Sequence, residues 1–493
     1  MKGEIARGAA WMVLFRLFDR SIGIVSTVVL ARLLLPADFG LVAMAMSVIA
    51  IIEMATAFSF DIALIQKKEP TRAHYDTAWT LNLMLAAGGG LLTVALAFPA
   101  ANFYGDARLA AVMLAIGAAW LVSGFENIGI VNFRREMNFS SEFRLLATKR
   151  VITFAVTMTA AVVFRSYWTL IIGMAAGRIA GVALSYAMQP YRPRLSLSCS
   201  RELFSFSGWM LVSNLAMVLL SRAPHFAIGR LYGAQPLGAY TVGSEIANLP
   251  HTELVAPINR AMFPGYSRLT DDLDLFRKTC VDATAVIFHL VLPLSVGVAL
   301  MAPQVVRILL GQQWAQAVPI IQILCFAGAV SALTANNMSA YQALGRPRLC
   351  TVTLIARMLL LFVALAVLAG PLGITGVALA EVAAALGSLA VSVPILSRVL
   401  KLSPMTYFSI LLRPLVAGAA MGLVIRSVLP ERGVEMAMLE AIGWLIVGSV
   451  IGMVTYPVFA GLLWWLAGRP ASVEPMLFDK LRAFVLPRLR RAG

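Results

Sequence analysis

Residues 9–40, AAWMVLFRLFDRSIGIVSTVVLARLLLPADFG, decide the fold once they are set against residues 207–238, SGWMLVSNLAMVLLSRAPHFAIGRLYGAQPLG. Trp11-Met12 recurs as Trp209-Met210, Arg32-Leu33 as Arg230-Leu231 and Gly40 as Gly238, all at one offset of 198 residues. Between Arg and Gly each copy also carries a proline, Pro36 and Pro236, in a slightly shifted register. Each copy is a mostly apolar run of about 20 residues, enough to cross a hydrocarbon core of about 30 Å as a helix.

Outward from these two copies the same kind of run recurs from end to end. Of 493 residues 60% are hydrophobic and 13% charged, against about 45–50% and about 25% in an ordinary soluble domain. Fourteen spans are expected between residues 9 and 466. The connections are short, apart from a loop around 263–280 and a tail after Gly468. The predicted fold class is an all-α polytopic membrane protein. Lys2 and Arg7 precede an apolar run as in a signal peptide. Arg16, Asp19 and Arg20 interrupt that run and no small-residue cleavage pattern follows, so it is read as a retained first helix.

The net charge of +16 is read as orientation. Counting Lys and Arg in alternate connections gives about 24 on the side of the N-terminus against 7 on the other. Both termini are therefore expected in the cytoplasm, with the protein in a bacterial inner membrane. No basic domain is left over to hold nucleic acid. Cys199, Cys280, Cys325 and Cys350 form no CxxC pair, so neither a metal site nor a disulfide is expected.

Six spans separate the two copies, so both insert with one orientation. Parallel repeats of this kind imply two pseudo-symmetric six-helix lobes facing one another, the plan of a transporter that rocks about a central substrate. The expected division is 1–200 and 201–400 for the lobes, 401–468 for two additional spans, and 469–493 for a basic tail. Leu477, Phe478, Leu481, Phe484 and Val485 share a helical face there, which suits an anchor lying among headgroups.

Charges inside spans mark the chemistry, because an Arg at a helix centre costs about 2.5–3.5 kcal/mol on insertion scales. Arg16, Arg20, Arg178, Arg222 and Arg357 lie well inside spans, and Arg260 toward the inner end of span eight. Arg16 and Arg20 leave one face of span one, Asp19 stands beside them as a partner for Arg16, and His225 follows Arg222 at i+3. Arginine suits a phosphate-bearing substrate, since its fork binds phosphate oxygens bidentately. Arg16, Arg20, Arg222 and Arg260 are the substrate-binding candidates; Asp19, Glu53, Glu245 and Glu381 are candidates for ion coupling or charge pairing. For Arg16 the competing reading is snorkelling to headgroups, for Arg260 a helix end-cap, and for Arg178 a structural pair with a neighbouring acid in a Gly173-Gly177-Gly181 helix. Lys149 and Arg150 are close enough to the inner face for snorkelling to suffice.

Enzyme signatures are missing: there is no GxxxxGK[ST], HExxH or GxSxG. Asp272-Leu273-Asp274 is read as a solvated charge run. No enzymatic activity and no cofactor are expected.

The opening GAAWMVLFRLFDRSIGIVSTVVLARLLLPADFGLVAMA, NFRREMNFSSEFR after span four, PINRAMFPGYSRL leaving span eight and YQALGRPRL leaving span ten together resemble the polysaccharide transporter family of the multidrug/oligosaccharidyl-lipid/polysaccharide exporter superfamily. The resemblance covers almost the whole chain. It implies a 6+6+2 helix arrangement with a central cavity. The implied substrate is a polyprenyl-pyrophosphate-linked oligosaccharide, moved from the cytoplasmic to the periplasmic leaflet for lipopolysaccharide, capsule or exopolysaccharide synthesis. The family's cavity cations would map onto Arg20 and Arg222 by position. Membrane lipids, polysaccharide polymerase and chain-length proteins are the further partners in view. The alternatives are an ion-coupled multidrug exporter of the same superfamily and, from another class, a membrane glycosyltransferase or polymerase.

Overall fold

The computed structural model describes residues 2–56, 58, 60–205, 210–430 and 433–469, and every regular element among them is a helix. Hydrocarbon offers the backbone no hydrogen-bonding partner, so apolar runs of this length must satisfy their own amides. Contacts divide the chain into two compact units, Met1–Thr241 and Val242–Gly493. The tail from residue 470 and Trp209 lie outside the described residues.

The first unit contains α1 (Lys2–Leu33), α2 (Pro36–Ala55), α3 (Phe60–Gln66), α4 (Arg72–Ala95), α5 (Ala97–Tyr104), α6 (Arg108–Ser123), α7 (Val131–Arg135), α8 (Phe139–Phe164), α9 (Trp168–Met188), α10 (Ser200–Ser205) and α11 (Met210–Tyr232). Pro36 starts α2 at the position where a missing N–H costs nothing, and Asp38 accepts the Leu35 amide at 2.9 Å and the Tyr167 amide at 2.9 Å. At the other end of α2 the Thr56 hydroxyl donates back to the Ile52 and Glu53 carbonyls, both at 3.0 Å, and the helix stops.

Packing in this unit relies on small residues. Gly173, Gly177 and Gly181 on α9 receive α8: a Cβ there would come within 2.1 Å of Thr157, 2.9 Å of Thr153 and 2.7 Å of Lys149 respectively. The three glycines thus form a close-packing stripe on α9. A closer approach joins α2 to the first turn of α12 (Ala234–Pro250). A Cβ on Gly40 would fall 1.7 Å from the Ala234 carbonyl oxygen, and one on Gly238 would fall 1.8 Å from that of Pro36. The offset that maps Gly40 onto Gly238 also maps Pro36 onto Ala234, so the two copies of the repeated motif touch each other through equivalent positions.

The second unit takes over within α12, which ends in a π-helical turn at His251–Val255, and continues through α13 (Ala256–Arg268), α14 (Leu273–Leu300), α15 (Ala302–Leu309), α16 (Ala317–Ala343), α17 (Pro347–Leu400), α18 (Pro404–Val428) and α19 (Met438–Leu466). Asp272 caps α14 by accepting the Leu275 amide at 3.0 Å, and Asp274 pairs with Arg277 at 2.8 Å. The Asp-Leu-Asp run therefore serves its own helix start. Its core carries a hydrogen-bonded polar cluster. The Tyr266 hydroxyl donates to Asn336 at 3.0 Å, Asn336 donates to Thr284 at 2.8 Å, and Tyr341 donates to the Ser392 carbonyl at 2.7 Å. α17 is two spans run together, with Gly373 at φ 65° as the break.

Among the described residues nine helices are long and apolar enough to cross a membrane, ten if the bent pair Arg108–Ser123 and Ile128–Arg135 is one span. Rejoining the broken helices and dividing α17 at Gly373 gives an order consistent with the fourteen expected spans. The helices that fall short are informative. Arg16, Asp19, Arg20 and Arg32 dilute α1, Arg222 and His225 dilute α11, and α12 stops after 17 residues.

Candidate functional site

Two spans that the repeat makes equivalent lose their regular helix at the same register. α2 stops at Ala55 and the chain resumes as α3 at Phe60; α12 gives way to a π turn at His251–Val255. The residue 198 positions before His251 is Glu53, one turn from the break in α2. Interrupted spans in corresponding halves are the strongest pointer to a transport site, because unwound backbone is tolerated in a membrane only where it lines a cavity or is buried in protein.

A charged pair lies beside each break. In the first unit Arg178 of α9 approaches Glu53 of α2 at 3.5 Å, and its guanidinium stands 5.6 Å from the centre of the Trp120 ring of α6. The arginine is 20% exposed and the glutamate 44%, so the carboxylate remains open while its partner is enclosed. The acid partner expected for Arg178 is thus Glu53. In the second unit Arg357 and Glu381, both on α17 but on either side of Gly373, approach to 3.6 Å at 24% and 17% exposure. Arg357 is also near enough to His251 for their charges to interact. Arg357 Nε and His251 Nδ1 are both buried without a hydrogen-bond partner among the described residues, as is Asn259 Oδ1 on α13.

The arginines nominated from sequence fall in three settings. Arg16 and Arg20 are exposed on α1. This helix packs on α8 through Trp11 and Phe15, whose rings lie 4.9 Å and 6.3 Å from Phe143. Asp19 does not pair with Arg16: it meets Arg150 of α8 at 2.9 Å. The sequence reading favoured a partner on the same helix, but Asp19 is on the packed face and Arg16 is not. Arg150 accordingly has a carboxylate partner, as does Lys149, 3.9 Å from Glu126, so neither relies on snorkelling alone. Arg222 is half-buried on α11, one turn before His225, whose ring lies 5.6 Å from Tyr240. Glu245 is exposed on α12 and Arg260 on α13.

Sequence reasoning missed the segment between the repeats. Gln189 to Leu197 has no regular secondary structure, ends in a turn at Ser198-Cys199, and is hydrogen-bonded along the buried face of α4. Asp76 accepts the Tyr191 hydroxyl at 2.7 Å and the Arg194 amide at 2.8 Å. Thr80 accepts the Ser196 amide at 2.9 Å, and Asn127 donates to the Tyr191 carbonyl at 2.7 Å. Beyond it Glu202 of α10 is held by Lys67 at 2.5 Å and His74 at 3.3 Å, and the hydrogen bonds from these two side chains, Lys67 foremost, lower its pKa from the ordinary glutamate value. The visible signal was the run of Asp, Thr and His at the start of span three. These polar residues are too many for a lipid-facing turn.

Among the described residues no group of three or more His, Cys, Asp or Glu is arranged to hold a metal ion. Cys199, Cys280, Cys325 and Cys350 are free thiols.

A family model described as "Polysaccharide biosynthesis protein" matches residues 29–319. The chain is 24% identical over 340 residues to the lipopolysaccharide biosynthesis protein WzxC of Escherichia coli (strain K12), covering 66% of this chain and 68% of that one. It is likewise 24% identical over 323 residues to the succinoglycan biosynthesis transport protein ExoT of Rhizobium meliloti (strain 1021), covering 65% of each. In structure it superposes on the lipid II flippase MurJ in an inward closed conformation with a TM-score of 0.71 at 12% identity, over 93% of this chain and 100% of that one. The fold is shared even where the sequence has diverged.

Proposed function

The chain belongs to the polysaccharide biosynthesis protein family, and from that premise we propose that it flips polyprenyl-pyrophosphate-linked oligosaccharide units from the cytoplasmic to the periplasmic leaflet by alternating access. The observation that carries this reading is the exposure of Arg16 and Arg20, one turn apart on a helix that otherwise shows Val13, Leu17 and Ile24 to its surroundings. A face that pairs guanidinium with apolar side chains suits a ligand of the same two parts, a diphosphate on a prenyl chain. Arg222 and Arg260 are further cations for the same group, and the interrupted spans at Glu53 and His251 supply backbone and side chains that change partners during the cycle.

The carriage needs no covalent step, so the protein works as a transporter and not as an enzyme. The 24-to-7 excess of basic residues supports a bacterial inner membrane with both termini cytoplasmic. The repeat supports modules 1–200 and 201–400, followed by two added spans and a basic tail. A polymerase and chain-length proteins would receive the flipped unit.

The test is deletion with complementation. Cells lacking the protein are expected to accumulate lipid-linked units in the inner leaflet, and proteoliposomes holding it are expected to expose such units to a membrane-impermeant oxidant. Unchanged lipid-linked pools, with resistance to cationic drugs conferred instead, would assign the protein to drug export.

A further inference from the structure

The first unit holds a cavity of about 210 Å³. Arg134 in its wall belongs to a connection that the count of basic residues assigns to the cytoplasmic side. Two chain breaks build it. Asp61 is the second residue of α3, just past the end of α2, and Glu126 and Asn127 lie in the turn between α6 and the short helix Ile128–Ile130, where the chain bends by 66°. At about 30 Å³ per water molecule the space equals about seven waters, close to the displacement of one hexose ring.

The wall suits such a ring in chemistry as well. Its twelve lining residues divide into six polar and six apolar ones. Val131, Phe133 and Leu145 are buried side chains that offer an apolar surface to the flat face of a sugar. A sugar hydroxyl both donates and accepts, so its rim needs acceptors and donors side by side. Asp61 only accepts and Arg134 only donates; they stand 3.6 Å apart at 42% and 50% exposure, open to a ligand. Glu142 is a positioning residue: its Oε1 accepts from Arg134 Nε at 2.6 Å, which fixes the guanidinium and leaves its terminal nitrogens for other partners.

Asn82 is the telling side chain. It lies between Leu81 and Leu83 inside α4 and lines the cavity, and among the described residues no hydrogen bond engages its amide. A polar side chain kept inside a span without a protein partner marks a place where something else supplies one. The charge of the wall narrows the choice. Asp61, Glu126 and Glu142 outnumber Arg134, with Lys149 reaching Glu126 at 3.9 Å, so a uronic acid or a phosphorylated sugar meets repulsion there.

We propose that this cavity is a glycan subsite, in which one neutral sugar ring sits with its hydroxyls on Asp61, Arg134 and Asn82. The assignment rests on a lipid-linked glycan as cargo and divides its recognition in two. The arginines proposed above take the diphosphate, and the cavity takes a neutral sugar while the glycan is still on the cytoplasmic side.

The experiment uses full-length protein in nanodiscs and measures saturation-transfer NMR signals from the methyl glycosides of glucose, galactose, mannose and N-acetylglucosamine. Methyl glucuronide is the charged counterpart, and empty nanodiscs give the background. At least one neutral glycoside is expected to bind saturably, and the glucuronide at least tenfold more weakly. Asp61→Asn and Asn82→Leu should each lose at least tenfold in affinity, while Asp274→Asn, on a helix of the other unit, should match wild type. Should Asp61→Asn not fold, Asn82→Leu carries the test, since an apolar span accommodates leucine. No saturable signal from any neutral glycoside, binding unchanged in both variants, or a glucuronide bound as well as the neutral sugars would overturn the subsite. Lipid-linked units that accumulate on deletion, with no glycoside bound, would remove the subsite and leave flipping in place. Glycoside binding lost in the variants, without that accumulation, would keep the subsite and remove flipping.

Discussion

Gly40 and Gly238, 198 residues apart in the chain, each press a bare Cα against the carbonyl of the residue four positions before the other. The reciprocity is that of an isologous interface, in which one patch contacts its own copy. Here both patches belong to one chain.

Substitution there should be costly on either side. Gly40→Ala places a methyl group into backbone that has no side chain to swing away, so the helices must part, at about 1–3 kcal/mol. Gly238→Ala should cost as much, and the double variant less than the sum, because helices already parted accommodate the second methyl. Gly88→Ala, with nothing within 4 Å of its Cβ, should be neutral or gain up to about 1 kcal/mol from helix propensity. Thermal unfolding in nanodiscs orders the four variants, and additive losses in the double variant would contradict the reciprocal contact.

The two intramembrane ion pairs should differ in what their rupture costs. Arg357→Met strands Glu381, which is only 17% exposed, and should lose about 3 kcal/mol; adding Glu381→Leu should recover most of it. Arg178→Met strands Glu53 at 44% exposure, where water reaches the carboxylate, and should lose about 1 kcal/mol or less. The same unfolding measurement decides, and equal losses at the two sites would mean that exposure does not set the cost.

Reversal of charge at the arginines proposed to bind substrate should stop export without unfolding the protein. Arg20→Glu and Arg222→Glu are expected to reduce polymer export at least tenfold at wild-type membrane levels, and Arg20→Lys to retain part of it, since a point charge replaces the bidentate fork. Polymer yield normalised to inserted protein is the readout. Wild-type export from the glutamate variants removes these residues from the mechanism.

The strap along α4 gives a measurement free of transport. Asp76→Ala removes the acceptor of the Arg194 amide and the Tyr191 hydroxyl, and hydrogen exchange at Arg194 and Ser196 should quicken at least tenfold. Glu202 adds a pH dependence whose sign is set by its lowered pKa. A carboxyl that titrates lower when folded contributes fully above its ordinary value of about 4.3 and loses that contribution as pH falls through the lowered value. Protection of α10 should therefore hold at neutral pH and fall in acid, and Glu202→Gln should lack it throughout.

Span order, membrane class and the repeat were legible because each rests on local apolar length or on a constant offset. Gly40, Gly238 and the Gly173-Gly177-Gly181 stripe were visible for the same reason, as small residues at fixed spacing. The partner of Asp19 was not. Adjacency on one helix proposed Arg16, whereas α8 brings Arg150 from 131 positions away in sequence. A cavity lined by Asp61, Glu126, Arg134 and Glu142 was equally hidden. Its lining is gathered from residues 61 to 146 by two chain breaks, one marked in sequence by Gly124 and the other by nothing stronger than Thr56. That the break at His251 falls in register with the one at Ala55 emerges only once both helices are traced.

The hydrogen bonds that fasten the stretch from Gln189 to Cys199 onto the helices run to side chains or backbone lying earlier in the chain, between Arg72 and Ser185. During synthesis all of those groups have left the ribosome before residue 200 does. The early half of the protein can thus tie itself off before the later spans arrive, leaving few open polar edges to be mispaired by a second, look-alike copy.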